Sequence, residues 1–145
     1  MTSLSHSAVC FFFERAVSLR ERARLKEFIV SIFKREKKDF QSLNYIFCSD
    51  KRLLEINRQF LQHDFYTDII TFDLTSQNQP LMAEIYISID RVRENAKLAN
   101  ESINRELHRV IFHGVLHLCG YKDKNKSQKN EMRRMEELCL GKYFG

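Results

Sequence analysis

The chain has 145 residues, of which 43% are hydrophobic and 30% charged, with one proline and four glycines. That length and balance describe one globular domain able to bury a sizeable core, and they exclude repeat, low-complexity and disordered classes. A net charge of +5 and a pI near 9.1 favour an acidic partner, of which nucleic acid is the usual kind.

In chain order, Ala8 to Phe13 is a continuous apolar run of strand length, read as a strand buried on both faces. It is too short for a signal peptide or a membrane span and no basic segment precedes it, which places the chain in the cytoplasm, away from membranes. Ser18-Leu19-Arg20-Glu21 has the form of a capping box. Leu25, Phe28, Ile29, Ile32 and Phe33 then recur at helical spacing. Leu43, Tyr45 and Phe47 alternate as a strand, and Asp50 can cap a helix carrying Leu53, Leu54 and Ile56. Thr67 to Leu74 and Ala83 to Ile89 read as two more strands around the turn-rich Ser76-Gln77-Asn78-Gln79-Pro80, with Ile85, Ile87 and Ile89 on one face. Helices follow from about Asp90, from about Glu101 to Cys119, and from about Lys126 to Leu140. The order β-α-β-α-β-β-α-α-α predicts an α+β fold: a single domain over residues 1–145, with a mixed four-stranded sheet covered by about five helices. Cys10, Cys48, Cys119 and Cys139 have no paired spacing and read as reduced, partly buried thiols.

The chemistry is concentrated in His113-Gly114-Val115-Leu116-His117-Leu118-Cys119-Gly120-Tyr121-Lys122-Asp123. Histidines four apart lie on one helix face. Gly120 suits the left-handed residue that closes a helix, and the turn it makes lets Asp123 return to the face of His113 and His117. Three donors around one divalent cation, at the C-terminal end of a helix, is the reading of this spacing. The order H-x-x-x-H-x-x-G-x-x-D has the spacing of the extended zinc signature of metzincin peptidases, with Asp123 at the place of the third histidine. Zinc peptidases carry a glutamate general base after the first histidine, and Gly114 stands there instead, so a peptidase is disfavoured. Gly114 shares a stripe with Leu107, Val110, Ile111 and Leu118, which implies close approach of another backbone or room for a substrate.

Other polar residues carry less. His63 and Asp64 read as loop organisers that could add donors, His108 lies about 140° around the helix from His113 and should not share its metal, and His6 stands near the terminus. Cys119 points away from His117 and reads as core. Basic residues gather at Arg20, Arg22, Arg24 and Lys26, at Lys34, Arg35, Lys37 and Lys38, and at Lys122, Lys124, Lys126 and Lys129. The first two groups read as solvated helix faces. The third flanks Asp123 and suits a polyanionic substrate, with Lys122, Lys124 and Lys126 as phosphate contacts.

His113 to Tyr121, H-G-V-L-H-L-C-G-Y, resembles the signature H-G-x-L-H-L-x-G-Y-D-H of the YbeY family, bacterial rRNA maturation factors and metal-dependent endoribonucleases. Ile56-Asn57-Arg58-Gln59-Phe60, Asp64 and Thr67-Asp68-Ile69-Ile70-Thr71-Phe72 resemble its L-N-x-x-Y-R…D…T-D-V-L-S-F segment, and Ala83-Glu84-Ile85-Tyr86-Ile87-Ser88 its G-D-I-x-I-S strand. The resemblance covers about Phe47 to Leu138 in matching order. It departs twice. Asp123 replaces the family's third histidine ligand, making a harder, less positive site with a less acidic bound water and an altered metal preference. Leu61 stands where the family carries an arginine, and Arg58, one turn earlier, could reach the same space.

The resemblance implies a single-strand-preferring, metal-dependent endoribonuclease in the cytoplasm, acting in maturation of the 16S rRNA 3′ end and in ribosome quality control. It implies one divalent ion, zinc for preference, on His113, His117 and Asp123. Its partners would be rRNA, the ribosome or ribosomal proteins, with neither membrane nor DNA. The alternative is a non-catalytic rRNA-binding assembly factor with a structural metal, which the absent general base and Leu61 favour. A metallopeptidase ranks third.

Overall fold

The computed structural model describes residues 8–63 and 66–145. The elements follow the expected order: β1 (Val9–Phe13), α1 (Arg22–Arg35), β2 (Phe40–Cys48), α2 (Asp50–Phe60), β3 (Ile69–Asp73), β4 (Leu81–Ser88), α3 (Ile89–Leu98), α4 (Ile103–Leu118) and α5 (Lys126–Phe144). The strands form one mixed sheet in the order β1-β2-β4-β3, with β1, β2 and β4 parallel and β3 antiparallel to β4. Parallel neighbours need crossovers. α1 supplies the one between β1 and β2, and α2 with β3 the one between β2 and β4. The return from β3 to β4 is a turn with Asn78 in the left-handed region, φ 62.

Strand alternation divides the sheet into two faces. Leu43, Tyr45 and Phe47 of β2 and Ala83, Ile85 and Ile87 of β4 belong to the main core, closed over by α1, α3, α4 and α5. Cys48, Ile70, Phe72 and Tyr86 point the other way and pack with Leu53 and Ile56 of α2. The apolar stripe of α1 is buried as its spacing predicts, at Leu25, Ile29, Ile32 and Phe33. Deep in the main core the Tyr45 hydroxyl donates to the carbonyl of Ile111 at 3.0 Å, tying the middle of the sheet to α4.

Several expectations are corrected. β1 is an edge strand and not buried on both faces: Phe12 is 51% exposed, because α2 covers the far face only over the β2, β3 and β4 part. Ser18 does not cap α1; Leu19 is drawn into the core, and the helix starts at Arg22 behind a left-handed Glu21 with no side-chain cap bond. Ser49, not Asp50, caps α2, accepting from the Arg52 N–H at 3.1 Å. Asp50 instead accepts from the Ser88 hydroxyl and pairs with Arg91, joining the starts of α2 and α3. α4 begins two residues later than expected, behind its Ser102 cap, and α5 runs on to Phe144, where Tyr143 is buried against Phe28 and His108. The four cysteines are free, as read. Among the described residues, no helix is long and apolar enough to cross a membrane.

Candidate metal centre

α4 ends in a Schellman turn. Gly120 takes φ 108, its N–H bonds the His117 carbonyl at 3.0 Å, and the Tyr121 N–H bonds the Leu116 carbonyl at 3.1 Å. This closure serves the site directly. It brings the Tyr121 carbonyl to His117, whose Nδ1–H donates to it at 2.7 Å. The His117 Nε2 is left as the acceptor nitrogen.

His113, one turn earlier, is held in the same sense by another group. Its Nδ1–H donates to Glu136 of α5 at 2.6 Å, and its Nε2 stands 3.5 Å from an Asp123 oxygen. The two imidazole centroids are 5.7 Å apart. Each ring thus has Nδ1 fixed by an oxygen acceptor and Nε2 available, the arrangement that orients a metal-ligating histidine and raises its basicity. His113, His117 and Asp123 line one cavity, and the donor chemistry of two imidazoles and a carboxylate fits a divalent ion. As the side chains stand, no three donors among the described residues converge into a ligating cluster; His113 and Asp123 are the two that meet.

The cavity measures about 510 Å³ and is walled by four elements. Asn57 and Leu61 come from α2 and its end, Thr67 to Thr71 from β3 and its approach, Arg109 to His117 from α4, and Lys129, Met132, Arg133 and Glu136 from α5. His63, read as a loop organiser, also lies in the wall, with its N–H on the Asn57 carbonyl. Leu61 occupies the wall; Arg58, considered as a substitute there, is not among the described wall residues. Of the predicted phosphate contacts Lys122, Lys124 and Lys126, all exposed, none is in the wall, whereas Lys129 is. His108 is excluded as expected: it is buried, donates Nδ1–H to the Asn104 carbonyl and stacks on Tyr143. Asp64 and His6 lie outside the described residues.

Electrostatics knit the centre to a second layer. Glu136, 3% exposed, takes His113 with one oxygen and Arg109 with the other at 2.9 Å. Arg109 also grips the buried Glu106 through two nitrogens. Burial pushes the Glu136 carboxyl up, but His113 and Arg109 outweigh it and hold the group below the usual glutamate range. Burial likewise works against protonated His113, yet the Glu136 bond and charge prevail, so the imidazole titrates above its ordinary value. Asp68, at the start of β3, behaves in the opposite way: burial raises its pKa against the pull of His113 and Arg109.

Reading the sequence alone missed Glu136, Arg109, Glu106 and Asp68. Glu136 had a signal: it interrupts an α5 stripe of Met132, Met135, Cys139, Leu140 and Tyr143, and a charge on a buried face needs a partner. Gly114 is close to side chains rather than to a backbone. A Cβ there would stand 2.7 Å from Ile85 Cδ1 and 3.1 Å from Ile69 Cδ1, so the glycine lets α4 settle onto β3 and β4.

Comparison with known proteins agrees with this architecture. A family model described as Endoribonuclease YbeY matches residues 14–143. A protein of Cytophaga hutchinsonii named Endoribonuclease YbeY is 49% identical over 132 residues, covering 90% of this chain and 92% of that one. Its namesake in Flavobacterium psychrophilum is 44% identical over 129 residues, with 89% and 91% coverage. The solution structure of TM1509 from Thermotoga maritima superposes with a TM-score of 0.64 at 31% identity, over 93% of this chain and 91% of the other. With family, relatives and fold in agreement over nearly its full length, the chain belongs to the endoribonuclease YbeY family.

Proposed function

We propose that this chain is a metal-dependent endoribonuclease acting in rRNA maturation, with His113 Nε2, His117 Nε2 and the Asp123 carboxylate as ligands of one divalent ion, zinc for preference. The observation that carries the reading is the pair of imidazoles, each with Nδ1 fixed on an oxygen acceptor, lining one open cavity. A structural zinc site closes with four protein ligands, while a catalytic one keeps a position open. Three candidate donors in an open cavity, with His117 exposed, favour catalysis over the assembly-factor reading. When bound, a divalent ion there supplies a Lewis acid for a phosphodiester oxygen and lowers the pKa of water.

The chain's own groups do the rest. Glu136 and the Tyr121 carbonyl hold the two rings in one tautomer and orientation. His113 itself and then Arg109 hold the Glu136 carboxyl below its usual range, which favours the ionised acceptor that His113 donates to. Asp68 lines the same cavity, burial raises its pKa, and it is the candidate proton carrier for the reacting oxygens. Asp123, as an anionic ligand, makes the site harder than three histidines would and extends its tolerance towards manganese and magnesium. The basic surface, together with the family's printed activity, supports rRNA and the ribosome as partners.

Metal analysis paired with an rRNA cleavage assay tests this. Wild type is expected to carry about one equivalent of metal and to cut. His117→Ala should lose both metal and cleavage while its circular dichroism is unchanged. Asp68→Asn should keep the metal and lose cleavage by about a hundredfold. Metal retained in His117→Ala, or cleavage that persists without metal, overturns the assignment.

A further inference from the structure

The cavity is charged unevenly. Its α2 and β3 walls present Asn57, Leu61, Thr67 and Thr71, with no cation among the described residues, whereas α5 presents Lys129 and Arg133. The remaining cation, Arg109, is already held by Glu106 and Glu136. Lys129 and Arg133 are one turn apart, and Lys126 stands another turn outward. At about 100° per residue the three fall within about 60° of arc, and they span about 10 Å along the helix. All three are exposed.

Elsewhere on α5 exposed charges of the middle turns are matched, while Lys142 of the last turn makes no ion pair among the described residues. Arg134 pairs with Glu131 at 2.7 Å, and Glu137 pairs with Arg105 at 3.3 Å. On the cavity side Lys126 and Lys129 make no ion pair among the described residues, and Arg133 reaches Glu136 through a single nitrogen at 3.7 Å, with 63% of its side chain exposed. The stripe also stops where the cavity stops: one turn beyond Arg133, its line meets Glu137. Lys126, Lys129 and Arg133 differ from the unpaired Lys142 in place: Lys129 and Arg133 line the cavity, and Lys126 follows on their line. Cations left unmatched along one rim of the cavity fit a substrate of regularly spaced anions.

We propose that Lys126, Lys129 and Arg133 form the track along which α5 carries the RNA backbone past the metal centre, Lys129 and Arg133 holding the phosphates next to the one that is cut. This rests on the endoribonuclease reading and deepens it. The three act as positioning residues: they fix where the strand lies and leave base identity unread. The cation from the α2 side, which Leu61 does not supply, is thereby replaced from α5.

The test is the salt dependence of binding by the metal-loaded protein, read by fluorescence anisotropy with a labelled single-stranded 2′-O-methyl phosphorothioate RNA, which binds without turnover. Lys129→Ala/Arg133→Ala should weaken binding at least about tenfold and reduce the slope of log K against log salt by about 1.4, two single-strand phosphate contacts. Lys129→Arg/Arg133→Lys should restore both. Lys34→Ala/Lys37→Ala, which removes the same charge from residues outside the cavity wall, should leave the slope as in wild type. Should the double alanine variant fold poorly, Lys129→Ala alone should reduce the slope by about 0.7. An unchanged slope in the α5 variants, or an equal loss in the Lys34/Lys37 control, overturns the track. Failure of the endoribonuclease reading is seen separately, as wild-type protein that binds with this slope yet leaves unmodified rRNA uncut.

Discussion

Glu136 is the residue on which the most depends, and it is buried. One oxygen orients His113, the other meets Arg109, and Arg109 in turn is braced by Glu106. A buried carboxylate is costly unless every partner is in place, and here the partners are two cationic or cation-forming groups on the next helix. The consequence for the metal is direct. A histidine whose far nitrogen donates to a full negative charge is a stronger base at Nε2 than one that donates to an amide. Glu136→Gln keeps the shape and a hydrogen-bonding oxygen but removes that charge. Zinc affinity, measured by competition with a chromophoric chelator, is expected to fall by about ten- to a hundredfold, with far-UV circular dichroism preserved. An affinity equal to wild type would show that the Tyr121 carbonyl and the helix geometry suffice by themselves.

Among the elements, α4 is the one whose seating sets the site. It is anchored by the Tyr45 hydroxyl on the Ile111 carbonyl and lies against the sheet at Gly114. Two terms oppose each other at that glycine. Alanine would gain about 1 kcal/mol of helix propensity. It would also place a methyl 2.7 Å from Ile85 Cδ1 and 3.3 Å from Ile85 Cγ2, in a core where Ile85 has no exposure, and such overpacking costs about 1–3 kcal/mol. Gly114→Ala should therefore be destabilised by about 1 kcal/mol in urea unfolding. Ile85→Val removes the Cδ1 that makes the closest approach and alone costs about 1 kcal/mol. Combined, the two changes should cost clearly less than their sum; strict additivity would mean that the crowding lies elsewhere. This element also marks how far the sequence can be read. The period of Leu107, Val110, Ile111 and Gly114 located the buried stripe, and Gly120 located the closing turn, because both are properties of the helix itself. What Gly114 touches, and the link from His113 to Glu136 across 23 positions, depend on how α5 and the sheet come together, which no local period encodes. Caps shifted for a related reason: Ser49 and Ser102 win because their side chains reach the N–H three residues on, whereas Ser18 is held away by the burial of Leu19.

At the scale of the molecule, the cavity is a product of topology. Asn57, Asp68, His113, Asp123 and Glu136 belong to different segments, and only the sheet order β1-β2-β4-β3 with α4 and α5 side by side brings them around one space. The unfolded chain has the paired histidines but neither the Glu136 support nor the returning Asp123, so a divalent ion should bind the native state far more tightly than the unfolded one. Such a ligand adds stability by mass action, about 2.7 kcal/mol at a hundredfold excess over its dissociation constant. For a domain of this size that raises Tm by on the order of 10 °C. Calorimetry of chelator-stripped protein with and without zinc should show this rise, and His117→Ala should abolish it while keeping a cooperative transition near that of the stripped wild type. If zinc raises the melting temperature of His117→Ala as much as that of wild type, the ion is stabilising the fold from somewhere other than α4.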